Sequence, residues 1–151
     1  MPGEASCYSW DDRRQLTIRV AAVFHGHEGP WLVLGYRAGW RAVEVLEPRS
    51  VFEMSCVVRA PLSTPFTCAA DGIQVAAGCT LGKLNIKLEP VRSPEEIEYV
   101  FTCRGRTLHL KLKPWVWSRI KEISSESGLT EASRWCMRQE LHTMFEELLE
   151  P

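Results

Sequence analysis

Residues 95–113 read EEIEYVFTCRGRTLHLKLK, and this stretch decides the fold. Arg104 and Gly105 separate two alternating runs, the pattern of two strands joined by a two-residue turn. Such a turn pairs Cys103 with Arg106, and counting outward sets every other pair. Phe101 then faces Leu108, Tyr99 faces Leu110 and Ile97 faces Leu112 on one side of the ribbon. The other side sets Glu98 against Lys111 and Glu96 against Lys113. Apolar pairs and opposite charges fall into register from one assumption, and each pair contributes about 0.2–1 kcal/mol.

Upstream of this hairpin, KLNIKLE (residues 83–89) alternates as a strand, and VFEMSCVVR (51–59), rich in β-branched residues, predicts another. Between them Pro61 and Pro65 mark a loop, and CAADGIQVAA (68–77) predicts a short helix with Gly78 just past its end. Residues 31–46 predict a longer helix, with Pro30 suited to its first position. One stripe of that helix reads Trp31, Gly35, Ala38, Gly39, Ala42, Leu46; its small centre predicts a tight contact with another backbone. Residues 11–24 have helical spacing at Leu16, Val20 and Val23 or Phe24, although Thr17, Ile18 and Val20 also suit a strand. After Pro114 the pattern is helical over about 115–125 and, beyond a break at Gly128, over 130–149. Trp135, Leu141, Phe145 and Leu148 form the apolar face of that last helix. The expectation is an α+β fold: an antiparallel sheet of about four strands with helices packed on it and a C-terminal helical pair. Residues 1–114 would form the core, and 115–151 a helical extension packed on it or on a partner chain.

A chain of 151 residues is one domain by size and buries roughly two thirds of its unfolded surface. Its 18 basic and 19 acidic residues leave a net charge of −1, which predicts no general attraction to nucleic acid or acidic membranes. No apolar run has the length of a membrane span, and residues 1–10 lack the basic start and apolar middle of a signal peptide. The expected location is the cytoplasm. Six cysteines without a Cys-x-x-Cys spacing then predict free thiols, most of them small buried apolar residues.

Chemistry concentrates in two segments. In FHGHEGP, His25 and His27 flank Gly26 just ahead of a helix start. Imidazoles so placed suit zinc, nickel, copper or iron, or serve only as hydrogen-bonding loop residues. In the second segment Cys68 stands near a helix start, where the helix dipole would favour thiolate. Asp71 lies in the first turn of that helix, and Cys79, Thr80 and Lys83 follow its end. GCTLGK is not a phosphate loop: one spacer is missing before Gly82, and Leu84 stands where a hydroxyl should hold magnesium. Lys83 is open to two readings, a ligand for an anion or a solvated lysine at a strand start.

FHGHEGPWLVLGYRAGWRAVEVL, TCAADGIQVAAGCTLGKLNI and RTLHLKLKP together resemble the FmdE/FwdE family of formylmethanofuran dehydrogenase, in order and separation, over about residues 16–114. The resemblance implies an α+β core that forms a homodimer. It also implies a groove lined by the His-Gly-His loop and the Cys68 helix, with a divalent transition metal, zinc or nickel, suspected there. It carries over to His25, His27, Cys68, Asp71, Gln74, Cys79, Thr80 and Lys83. Many relatives read His-Gly-His-x-Cys-Pro where this chain has Gly29, so a ligand such relatives could draw from the loop is missing. A continuous helix would hold the sulfurs of Cys68 and Cys79 about 16 Å apart, too far for one ion. The expected metal ligands are therefore His25, His27 and Cys68. Cys68 and Asp71 are the expected catalytic groups, and Gln74, Cys79, Thr80 and Lys83 the ligand-binding ones. Partner oxidoreductase subunits are implied, and in that enzyme the molybdenum or tungsten pterin chemistry belongs to other subunits.

The tail offers an alternative. From residue 107 onward the strand–helix–helix order matches a ribbon-helix-helix DNA-binding unit, in which strands of two chains pair. Against it, the strand already has an in-chain partner, and residues 107–151 hold six Lys/Arg against seven Asp/Glu. That balance leaves no basic surplus for phosphate contacts.

Overall fold

The computed structural model describes residues 6–151; the first half of the 1–10 stretch lies outside the described residues. Helix α1 (Trp10–Arg13) starts at Ser9, whose Oγ accepts the Asp12 amide at 3.0 Å. Helix α2 (Ile18–His25) starts at Thr17, whose Oγ1 accepts the Val20 amide at 3.3 Å. The single helix expected over 11–24 is thus two, because the hydroxyl of Thr17 serves better as a cap than inside a helix. Gly26, at φ 106°, ends α2 in a conformation that favours glycine. Helix α3 (Pro30–Leu46) follows with Pro30 at its first turn.

Next come β1 (Met54–Ala60), α4 (Ala69–Ala77), β2 (Ile86–Pro90), β3 (Glu98–Cys103) and β4 (Arg106–Leu112). Helices α5 (Pro114–Ser127), α6 (Leu129–Arg138) and α7 (Leu141–Met144) precede a last strand, β5 (Phe145–Glu150). The fold is α+β, with one five-stranded sheet in the order β2-β1-β3-β4-β5. All neighbours are antiparallel except β1 and β2, which run parallel across the α4 connection. The hairpin register is as expected from Cys103↔Arg106 to Glu98↔Lys111. Beyond it, Ile97 still accepts the Leu112 amide at 3.0 Å, while Glu96 caps back onto Ser93 instead of facing Lys113. Tyr99, Phe101, Leu108 and Leu110 are fully buried on the face that carries the helices.

The segment FEELLE is a strand, not the end of a helix. Leu112 pairs with Phe145 and Thr107 with Glu150, so β5 occupies the second edge of β4. Only Phe145 of the six is buried, and Glu147 is held by Arg41 of α3 through two bonds of 2.7 and 2.9 Å. With β3 on one side and β5 on the other, β4 has no edge open for pairing with a second chain. Val116, Ile120, Cys136, Met144 and Phe145 join the same core as the strands. No helix among the described residues is long and apolar enough to cross a membrane.

The small stripe of α3 meets α4. A Cβ on Gly35 would run into the Ala69 carbonyl, and one on Gly72 into the Leu32 carbonyl and, at 2.5 Å, the Tyr36 amide nitrogen. Gly39 sits where a Cβ would be 2.9 Å from that of Ala76. The backbones therefore cross with nothing between them. Gly72→Ala should cost about 3 kcal/mol despite its better helix propensity, lowering the thermal midpoint by about 6–12 °C. Gly82→Ala, where an added Cβ meets nothing, should change stability by less than about 0.5 kcal/mol. Thermal unfolding of both variants checks the pair, and an unperturbed Gly72→Ala would refute the close crossing.

Candidate functional site

His25 closes α2 and Asp71 lies in the first turn of α4, and the two side chains meet with Nδ1 and Oδ2 2.5 Å apart. Asp71 keeps its second oxygen for Gln74, whose Nε2 donates to Oδ1 at 3.2 Å. Gln74 in turn accepts the Leu81 amide at 3.0 Å through Oε1. A relay of Leu81, Gln74 and Asp71 thus fixes the rotation of one imidazole. With the carboxylate accepting from Nδ1–H, the neutral ring carries its lone pair on Nε2. That Nε2 is buried and has no hydrogen-bond partner among the described residues. Beside it stands His27, its ring centroid 4.8 Å from that of His25 and tilted by 44°. His27 is exposed, and its Nδ1 donates to the Glu28 carbonyl at 3.2 Å.

Cys68 departs from the expected thiolate. It ends a short 3-10 turn, Phe66–Cys68, just before α4, yet its thiol is pushed up. Burial is the larger cause and the negative charge of Asp71 the second, together outweighing a backbone hydrogen bond that favours thiolate. At neutral pH the group is a protonated thiol.

The remaining expected site residues divide. Gln74 belongs to the relay. Cys79 lies at the opposite end of α4 from Cys68, fully buried, its Sγ–H directed at the Met54 carbonyl at 3.5 Å. It is a core residue, and its burial pushes the thiol pKa up to about 12. Lys83 donates to Thr80 Oγ1 at 2.7 Å, and Thr80 donates its amide to Asn85 Oδ1 at 2.8 Å. Burial, then the nearby Arg13 guanidinium, holds the Lys83 ammonium below its usual value. Asn85, passed over in the sequence, pins this loop by donating to the Val51 and Met54 carbonyls. No local pattern marks it, because both partners lie about 30 residues upstream.

A family model described as "FmdE, Molybdenum formylmethanofuran dehydrogenase operon" matches residues 24–150. The chain belongs to this family. No curated protein matches it. The matched span begins beside His25 and runs through β5, so the tail is included. For a member of the FmdE family, the test of a metal site is its donors. His25 fits: its Nε2 is unpartnered, and a carboxylate orients the ring from behind, as the outer partners of metal-bound histidines do. His27 adds a second nitrogen donor. Among the described residues, however, no three His, Cys, Asp or Glu side chains are grouped to hold an ion, so the set of His25, His27 and Cys68 is not assembled. A closed four-ligand structural site therefore does not fit the described residues.

Alkylation tests the thiol assignment. Cys68 should react with iodoacetamide with a half-maximal rate above the pH of about 8.5 typical of a free thiol. Asp71→Asn should lower that midpoint and speed the reaction several-fold at pH 7.5. Peptide mapping by mass spectrometry reads both, and a Cys68 midpoint below about pH 8 would reverse the assignment.

Proposed function

We propose that the chain is an accessory protein of formylmethanofuran dehydrogenase-related one-carbon and molybdenum–tungsten enzyme metabolism, binding a divalent transition metal, zinc or nickel, at His25 and His27. The observation that carries this is the buried Nε2 of His25, left unpartnered while Asp71 holds the other ring nitrogen. Such an imidazole is oriented and without a partner, the state a metal ligand needs. A divalent ion there would act as a Lewis acid toward a small ligand completing its coordination. His25 would bind, Asp71 and Gln74 would orient it, and exposed His27 would close over the exchangeable side. Cys68, a protonated neighbour, would join only where a metal displaces its proton.

The operon association of the family supports oxidoreductase partner chains and a cytoplasmic setting. A homodimer is the proposed working form, supported by apolar exposure near the site: Val23, Phe24 and Leu81 are 71%, 61% and 73% exposed.

Zinc and cobalt(II) titrations with metal analysis test this site. The wild type should bind one ion per chain. His25→Ala should abolish binding, and Asp71→Asn should weaken it roughly 10–100-fold. Gly29→Cys should strengthen it: Gly29 has extended backbone (φ −151°), and the exposed His27 ring, whose Cε1 lies 3.1 Å from where a Cβ would stand, has only to shift by a few tenths of an ångström. The cobalt(II) form of that variant should gain thiolate charge-transfer absorption. Metal retained at full stoichiometry by both His25→Ala and His27→Ala would overturn the assignment.

A further inference from the structure

A cavity of about 490 Å³ lies against the face of α3 that looks away from α4, bounded by α6, α7 and β5. Its size falls in the range of about 300–1,000 Å³ in which proteins hold small organic ligands. Leu110, Met137, Leu141 and Phe145 supply its apolar surface. Three guanidiniums, Arg14, Arg37 and Arg41, and two carboxylates, Glu44 and Glu147, also line it.

The charges do not cancel. Arg41 takes both oxygens of Glu147 and reaches Glu44 at 3.4 Å, while Arg14 stacks 3.7 Å over the Trp40 ring and lies 3.8 Å from Glu44. Arg37 has no carboxylate partner among the described residues. It spends Nη1 on the carbonyls of Cys136 and Gln139, at 2.6 and 2.5 Å. Its Nε and Nη2, the edge that grips a carboxylate in bidentate fashion, make no bond to a described residue. A half-buried cation without a counter-charge is costly, and burial accordingly lowers the Arg37 pKa. Trp40, another lining residue, is 5% exposed and carries a buried Nε1–H without an acceptor.

We propose that this cavity binds a small organic monoanion with an apolar, preferably aromatic, body, its carboxylate on Arg37 and its body against Leu110, Met137, Leu141 and Phe145. One unbalanced cation fits a single negative charge better than a phosphate dianion. The site is separate from the His25–Asp71 pair and does not depend on it.

Calorimetric titration of the full chain with 2-naphthoate tests the site, with 2-naphthamide as the uncharged isostere and inorganic phosphate as a bare anion. The wild type should bind one 2-naphthoate saturably, the amide at least tenfold more weakly, and phosphate without saturation. Arg37→Gln should weaken 2-naphthoate at least tenfold, and His25→Ala should leave it unchanged. Because Arg37 also caps α6, its variant could fail to fold. Met137→Trp, which fills the cavity from a position 40% exposed, then carries the test and should abolish binding with the thermal midpoint retained. Each of four results overturns the proposal: no saturable 2-naphthoate binding up to roughly millimolar concentration, equal binding of the amide, tighter phosphate than 2-naphthoate, or unchanged binding in folded Met137→Trp.

Discussion

The direct backbone crossing of α3 and α4 governs the rest of the molecule. Gly35 and Gly72 leave no room for a methyl group between the helices, so α4 can sit in only one place along α3. Asp71 is the neighbour of Gly72, so its height is set by that crossing. His25 is tied to the same helix from the other side, because only residues 26–29 separate the end of α2 from Pro30. Two short tethers to one contact bring imidazole and carboxylate to 2.5 Å. Placed by backbone packing, the pair needs no long flexible side chain to find its partner.

Helix α3 has a second, chemically opposite role. Where its small face meets α4, its long residues reach the tail: Arg37 to the end of α6 and Arg41 to Glu147 of β5. These contacts explain why residues 145–150 form a strand. Leu, Glu and Phe in this run favour helix or are indifferent, and two adjacent leucines break strand alternation. What decides is an open edge on β4, a Lys113 amide that donates to the Met144 carbonyl at 2.8 Å, and a guanidinium waiting for Glu147. All three lie outside the segment itself.

That contrast marks what was legible in the sequence. The hairpin was readable because a two-residue turn and alternation fix its register locally. The glycine stripe was readable because its only physical use is close approach, although its partner, α4, was not named by it. The parallel pairing of β2 with β1, the strand β5 and the anchoring of Asn85 depend on partners distant in sequence. Thr17 was locally ambiguous: its hydroxyl could cap a helix or its branched carbon could join a strand, and the cap prevailed. At the candidate site, the sequence singled out His25, His27, Cys68, Asp71 and Gln74. It could not tell which of them touch, nor that Cys79 turns inward to the Met54 carbonyl.

Asp71 then sets the chemical character of what remains. Its carboxylate holds Nδ1 of His25, accepts from Gln74, and places a negative charge by Cys68. The charge that holds the imidazole through Nδ1 also adds to burial in disfavouring thiolate at Cys68, since thiolate and carboxylate repel. A short helix cannot offset this, because its dipole acts over the first turn and Asp71 occupies that turn. One carboxylate thus joins two groups of unlike character, an imidazole that it orients and a thiol that it helps to keep protonated.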